Sequence, residues 1–326
     1  TYPLTTAMLS VPKSRVVRGF SFFGVSFVYV IFEDGTDLYW ARSRVLEFLS
    51  SAARRLPPGV TPSLGPDATG VGWVYQYVVR GVQKSLAELR TIQDWYIRYG
   101  IAKAYGVAEV ASVGGFVKQY SVVIDPRRLQ ALGISPMKVR DALRASNMDV
   151  GGRTVELAET EFAVRGRGYI KSLSDIEQVA VKTDRGVPVL LKDVARIEIV
   201  PDERRGITEL NGEGEVVSGI ALQRFGENAL TVIRNVKARL AEMASSLPQG
   251  VTVDPVYDRS DLIYRAIDTL KRTLIEESLI VAVVCVVFLL HVRSALVAII
   301  TLPLGVLIAY VCMNLLGLSS NIMSLG

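Results

Sequence analysis

Histidine and cysteine, two side chains that commonly bind metal ions, are sparse in this chain, and this limits the metal chemistry that it could support. Thioether sulfur favours Cu(I) and Ag(I), whereas carboxylate and imidazole favour Zn(II) and similar ions. His291 is the single histidine of the sequence, so a zinc site built on several histidines is excluded within the chain. Cys285 and Cys312 both fall in an apolar tail with no CxxC spacing, so we interpret them as small apolar residues.

Enzymatic and nucleotide-binding motifs are absent from the sequence. It contains no G-x-x-x-x-G-K loop, no G-x-S-x-G elbow and no H-E-x-x-H pair. The formal net charge is +5, but the basic residues form no stripe interleaved with aromatic residues, as nucleic-acid binding would require. We therefore predict a protein that is not an enzyme, needs no cofactor and does not hydrolyse ATP.

The helices and strands that must position any site fall into two groups, one suited to water and one suited to lipid. Charged residues occur throughout the first 270 or so residues and nearly stop from about Leu274. Two uncharged runs follow at 278–292 and 295–318, and each is long enough to cross a bilayer. We predict two antiparallel membrane helices, at about 274–292 and 295–318, with Arg293 in the link. The positive-inside rule then puts the link in the cytoplasm and residues 1 to about 270 on the opposite face.

An internal repeat organises the water-exposed part. Residues 35–67 align without a gap on residues 226–258, with LPPGVT at 56–61 matching LPQGVT at 247–252. Each copy predicts a first strand, at 25–32 or 215–223, then a helix ended by a Pro-Gly turn. A second strand is predicted to begin at the Val-Thr pair of each copy.

A third unit lies between the two copies. We predict strands at 71–79 and 107–113 around an amphipathic helix at 86–104. Combined with the second copy, this unit predicts an α+β fold, a split ferredoxin-like sandwich with an inserted subdomain. The predicted elements of the insertion are a helix at 135–146 and strands at 154–164, 178–182 and 187–190.

Several longer stretches resemble the heavy-metal efflux branch of the RND transporter family, and within it the copper/silver pumps. They are GPDATGVGW at 65–73, VASVGG at 110–115, ELNGEG at 209–214, YDRS at 257–260, HVRSALVAII at 291–300 and NIMSLG at 321–326. The resemblance covers the whole chain. It implies a proton-driven cation antiporter that confers metal resistance from the inner membrane of a Gram-negative cell, with residues 1 to about 270 in the periplasm.

The resemblance also implies an architecture and partners. The pump would be a homotrimer that works with a periplasmic adaptor protein and an outer-membrane channel. The implied domains are a first porter subdomain at 1–68, truncated at its N-terminus, a second at 69–119 and 207–258, a docking subdomain at 120–206 and a transmembrane region at 259–326. The chain would then be a piece of a longer protein, with the proton-relay Asp after Gly326 and the central porter metal site in the second half.

Two residues are candidate metal ligands on this resemblance. Met323 would lie at the start of the fourth membrane helix, where the copper/silver branch also has a methionine; ordinary apolar packing is the alternative. Glu203 stands where that branch has a methionine. A carboxylate there favours a divalent metal, unless it is a solvated charge beside Arg204 and Arg205.

The resemblance favours export of Cu(I) or Ag(I). A divalent-metal pump for Zn(II), Co(II) or Cd(II) is the first alternative, and an RND drug exporter is the second. A membrane-anchored interaction protein is a third, and the apolar tail could also be a buried hairpin of a large soluble protein.

Overall fold

The computed structural model describes residues 1–184, 186–204, 206–289 and 292–316. The chain is a mixed α and β protein whose described strands form small sheets. It divides into two compact units, Thr1–Ala68 and Thr69–Gly326. The predicted metal residue Met323 and the histidine His291 lie outside the described residues, whereas Glu203 lies within them.

The first unit combines two helices with one antiparallel hairpin. The hairpin turns at Gly24, whose φ of 73° is accessible to glycine at little strain. The side chain of Asp37 caps the second helix by accepting a hydrogen bond from the Trp40 N–H at 2.7 Å. The elements are α1 (Tyr2–Met8), β1 (Ser14–Phe22), β2 (Val25–Phe32) and α2 (Leu38–Ala53).

The second unit contains a four-stranded antiparallel sheet in the order β12-β3-β11-β4. This is the strand order of a split βαβ sandwich. Its helices and strands share one core, in which Tyr77, Ile97 and Ile233 are almost fully buried. The elements are β3 (Trp73–Gly81), α3 (Leu86–Ile92), a π-helical segment (Gln93–Ile97), α4 (Arg98–Ala102), β4 (Val107–Gly114), β11 (Val217–Gln223), α9 (Ala229–Ala244) and β12 (Val251–Asp258).

The insertion between β4 and β11 has a separate apolar core, which includes Leu129, Val139 and Leu191. A two-stranded sheet of β5 and β10 connects it to the sandwich. Its elements are β5 (Lys118–Ile124), α5 (Pro126–Ala131), α6 (Pro136–Ser146), β6 (Val150–Leu157), β7 (Thr160–Gly166), α7 (Leu173–Glu177), β8 (Ala180–Asp184), β9 (Val187–Leu190), α8 (Leu191–Val194) and β10 (Ala195–Pro201).

Two long helices follow the sandwich, α10 (Arg259–Leu289) and α11 (Val292–Leu315), and they lie side by side. Because α10 begins directly after β12, it starts well before the predicted Leu274. Arg293 lies in the first turn of α11 and not in the link, so that part of the prediction was wrong. Within the described residues, no helix reaches the length and apolarity that a bilayer crossing requires.

The structure confirms the repeat only in part. Helices α2 and α9 occupy equivalent positions of the aligned segments and have the same length, 16 residues. Each is followed by a turn glycine with positive φ, Gly59 at 84° and Gly250 at 78°. The second strand forms only in the second copy, as β12; residues 60–67 form no strand, and that prediction was wrong.

Two other predictions needed correction. The predicted strand at 154–164 is a hairpin of β6 and β7, because Ala158 and Glu159 both adopt positive φ and reverse the chain. The predicted helix at 86–104 is interrupted by the π-helical segment, a feature that hydrophobic periodicity does not reveal.

Candidate functional site

A cavity of about 430 Å³ lies where the insertion leaves and rejoins the four-stranded sheet. Its lining comes from the end of β4, from the chain crossing that follows it, and from the returning segment after β10. Glu203, the described candidate metal residue, is part of that returning segment. The cavity therefore places this residue at the junction of two subdomains.

The outgoing crossing depends on two consecutive glycines. Gly114 and Gly115 have φ values of 74° and 58°, in the region that side-chain-bearing residues rarely adopt. A Cβ on Gly114 would lie 2.7 Å from the Cβ of Thr208, and one on Gly115 would lie 2.6 Å from Cγ2 of Val217. The chain can therefore turn out of the sheet here only because both side chains are missing.

Arg90 fixes one wall of the cavity. Its Nε donates to Oδ2 of Asp94 at 2.7 Å, and its Nη1 donates to the carbonyl of Gly114 at 2.7 Å. Both side chains are only about one-fifth exposed, 20% for Arg90 and 19% for Asp94. This charge-assisted bond attaches helix α3 to the last residue of β4.

Arg204 fixes another part of the lining. It forms an ion pair with Glu215, and its guanidinium carbon lies 5.9 Å from the ring centroid of Phe116. The side chains of Arg204 and Glu215 are 32% and 22% exposed. Among the described lining residues, Arg90 and Arg204 each have a carboxylate partner, so the positive charge of these two side chains is largely neutralised locally.

Glu203 lies on the rim as an exposed residue. Its backbone N–H donates to Oδ1 of Asp202 at 2.8 Å, and the Asp202 N–H donates to the Val117 carbonyl at 2.9 Å. Two adjacent carboxylates can attract a cation to the rim. Among the described residues, however, no three His, Cys, Asp or Glu side chains lie together as a metal site would require.

A buried polar network supports the floor of the cavity. Tyr77 Oη donates to Oε1 of Gln93 at 3.1 Å, and Gln93 Nε2 donates to the hydroxyl of Ser112, a lining residue, at 3.2 Å. Burial raises the pKa of the Tyr77 hydroxyl, which therefore remains a protonated donor. No local sequence signal identifies these residues, because their side chains meet only through the sheet register and the π-helical segment.

Comparisons with known proteins agree on one family. The AcrB/AcrD/AcrF family model matches residues 1–326. The chain is 58% identical over its whole length to the cation efflux system protein CusA of Escherichia coli (strain K12), and it covers 31% of that protein. It is 36% identical to the cobalt-zinc-cadmium resistance protein CzcA of Cupriavidus metallidurans, again over its whole length and 31% of the relative.

A crystal structure of a heavy metal efflux pump, in its crystal form II, matches the fold with a TM-score of 0.90 at 32% identity. The match covers 99% of this chain and 32% of the other. The names of these relatives describe an efflux system protein, a metal-resistance protein and a heavy metal efflux pump. The chain itself belongs to the AcrB/AcrD/AcrF family. It spans about a third of the length of these relatives.

The resemblance to heavy-metal RND pumps that the motifs indicated is therefore confirmed. The pairing of Met323 with another ligand stays a prediction, because Met323 lies outside the described residues. Cys312 is an exposed free cysteine on α11.

Proposed function

We propose that this chain is part of a proton-driven efflux permease of the Gram-negative inner membrane that exports heavy-metal cations, with Cu(I) and Ag(I) favoured. The observation that carries the proposal is the identity across the whole chain, 58% with CusA against 36% with CzcA. Substrate preference in such a pump depends on many contacts along the path, so similarity over the whole chain counts for more than one position.

The subdomain assignment is part of the proposal. Residues 1–68 belong to the first porter subdomain, 69–119 with 207–258 to the second, and 120–206 to the docking subdomain. The strand order β12-β3-β11-β4 and the separate apolar core of the insertion support this division. In the working protein, three copies would assemble with a periplasmic adaptor and an outer-membrane channel.

We further propose that α10 and α11 carry the transmembrane region at 259–326. Large apolar side chains project outward from both helices, including Phe288 at 84% exposure and Leu307 at 60%. Exposed apolar surface of this extent favours contact with lipid or with another apolar surface. Residues 1 to about 270 would then lie in the periplasm.

Glu203 carries the second candidate function, a divalent-metal pump. Carboxylate oxygen is a harder ligand than thioether sulfur, and the Glu203 side chain is exposed on the rim of a cavity with Asp202 beside it. If metal passes this rim, the carboxylates favour Zn(II), Co(II) or Cd(II) over Cu(I).

The test uses the full-length protein in a metal-sensitive bacterial host. Growth is measured with added copper, silver, zinc, cobalt or cadmium, and with cationic dyes as a probe of drug export. Protection against copper and silver supports the proposal. Protection against zinc, cobalt or cadmium alone establishes the divalent-metal function instead, and protection against the dyes alone establishes a drug exporter.

Two variants separate the roles of Glu203. Glu203→Met should lower zinc tolerance if the carboxylate handles the metal, and should leave every tolerance unchanged if it is a surface charge. Glu213→Met is a matched control, because Glu213 is an exposed carboxylate of the same returning segment but is not part of the cavity lining. An equal effect of both substitutions would contradict any specific role for Glu203.

A further inference from the structure

The YDRS motif at 257–260 spans the connection between strand β12 and helix α10. Strand β12 ends at Asp258 and helix α10 begins at Arg259, with no loop between them. The first turn of a 31-residue helix is thus a direct continuation of an edge strand of the sandwich. Such a connection can transmit a movement from the strand to the helix only if the surrounding side chains fix the angle between β12 and α10.

Asp258 is the centre of the contacts at this connection. It accepts hydrogen bonds at Oδ1 from the Ser260 N–H at 2.9 Å and from the Ser260 hydroxyl at 2.6 Å, and it forms an ion pair with Lys237 of α9. The Asp258 side chain is only 12% exposed. One carboxylate therefore connects the strand, the start of α10 and the neighbouring helix.

Arg259 adds a contact on another side. Its Nη1 donates to the carbonyl of Val71 at 2.5 Å, just before strand β3. Lys237 Nζ also lies 3.5 Å from the Ser260 hydroxyl, which closes a triangle of three polar groups. The start of α10 is consequently attached to α9, to β12 and to the segment that leads into β3.

These contacts stabilise the ionised form of the Asp258 carboxyl. Burial alone raises the pKa of its carboxyl, but the hydrogen bonds from Lys237 and Ser260 outweigh this effect and leave the pKa below its ordinary value. The carboxylate therefore remains charged at neutral pH, with the Lys237 ammonium as its partner.

The length of α10 shows why the angle matters. A straight helix of 31 residues is about 46 Å long, so each degree of play at its first turn displaces the far end by about 0.8 Å. If the angle at the first turn of α10 could vary by a few degrees, a movement of several ångströms at the far end of the helix would not reach the sandwich. Fixing the first turn on three sides removes that play.

We propose that Lys237, Asp258, Arg259 and Ser260 form a positioning joint that makes the sandwich and α10 move as one body during transport. This rests on the proposed function, since it assumes that movement passes between the membrane helices and the periplasmic subdomains. The joint acts through the helix that it orients.

The joint is tested in the full-length pump, reconstituted in lipid vesicles. Lys237→Met removes the ammonium and keeps the length of the side chain, and Asp258→Asn removes the charge but keeps the bonds from Ser260. Both should lower the saturating transport rate about fivefold or more, which corresponds to about 1 kcal/mol in the barrier, with KM nearly unchanged. Lys237→Arg should retain the rate, because a guanidinium can still pair with Asp258.

Asp254→Asn is the matched control. It removes another carboxylate of β12, whose 3.5 Å ion pair with Arg80 is about half exposed. This variant should transport like the wild type. The proposed joint would be refuted if Asp254→Asn and Asp258→Asn lost the same fraction of the transport rate. It would also be refuted if Lys237→Met or Asp258→Asn raised KM, or if their lower rates were fully explained by a smaller amount of assembled protein.

A second measurement does not depend on transport. Spin labels at the exposed residues Ser245 and Thr273, in a background without native cysteines, report the distance between the sandwich and α10. The distribution should be narrow in the wild type and in Asp254→Asn, and broad in Lys237→Met. Equal widths would overturn the joint. Unequal widths in a protein that moves no metal would leave the joint standing and refute the proposed function.

Discussion

The buried pair of Tyr77 and Gln93 allows a quantitative test of what stabilises the sandwich. Both residues are 0% exposed, and the Tyr77 hydroxyl donates to Gln93 Oε1 at 3.1 Å. Tyr77→Phe leaves that amide oxygen without its donor in the core. An orphaned buried polar group costs about 1–3 kcal/mol, so we expect a loss of about 2 kcal/mol in the free energy of opening.

Gln93→Leu leaves two groups without a partner, the Tyr77 hydroxyl and the half-buried hydroxyl of Ser112. We expect it to destabilise the sandwich by about 2–3 kcal/mol. In the double variant only Ser112 is left unpaired, and it can turn toward the cavity that it lines. The double variant should therefore lose less than the sum of the two single losses, with a coupling of about 1–2 kcal/mol.

Amide hydrogen exchange in the full-length protein measures this energy at strands β3 and β11. A loss of about 2 kcal/mol should speed exchange by opening about 30-fold. Tyr75→Phe is the control, because Tyr75 is also buried on β3 but its hydroxyl has no side-chain hydrogen bond among the described residues. It should change exchange little. Equal effects at Tyr75 and Tyr77, or additive effects of the two single substitutions, would refute the reasoning.

Two further outcomes follow from local contacts. Asp37→Ala removes the side-chain cap of helix α2, and Asn228→Ala removes the cap of helix α9. Each substitution should lower the stability of its helix by about 1 kcal/mol, measured by hydrogen exchange of the first-turn amides. A loss at only one of the two helices would contradict the equivalence of the repeat helices. The pKa of Asp258 lies below its ordinary value of 3.8, so its contribution is complete above that pH and is lost only as the pH falls through the lower folded-state value. Protection at the start of α10 should persist near pH 4 and disappear in stronger acid in the wild type, and Asp258→Asn should abolish that acid-dependent step.

Much of the secondary structure in both units could be predicted because its signals are local. Strand β2 lies at the predicted residues, Val25–Phe32, where apolar and aromatic residues dominate the run. The repeat helices end before Pro-Gly turns in which Gly59 and Gly250 adopt positive φ. Such residues determine backbone conformation over a few positions, so their effect can be read without knowing the fold.

The cavity could not be predicted in the same way, because its walls come from distant parts of the chain. Arg90 contacts the carbonyl of Gly114, and Arg204 contacts Glu215 and the ring of Phe116. No local pattern specifies those partners, which depend on the sheet register and on where the insertion leaves it. Only the consecutive glycines at 114–115 carried a local signal, a backbone conformation that other residues avoid.

The second strand of the first repeat copy shows where the local signals end. Residues 60–67 begin with the same Val-Thr pair as β12, yet only β12 is a strand, because it pairs with β3 from Gly81 to Tyr75. In the first unit, β1 and β2 pair with each other. Segment 60–67 instead contacts α2, through Arg42 Nη1 to the Gly65 carbonyl at 2.9 Å and Tyr39 Oη to Asp67 at 2.9 Å. The helix and the turn are thus properties of the segment, whereas the strand requires a partner that the segment cannot encode.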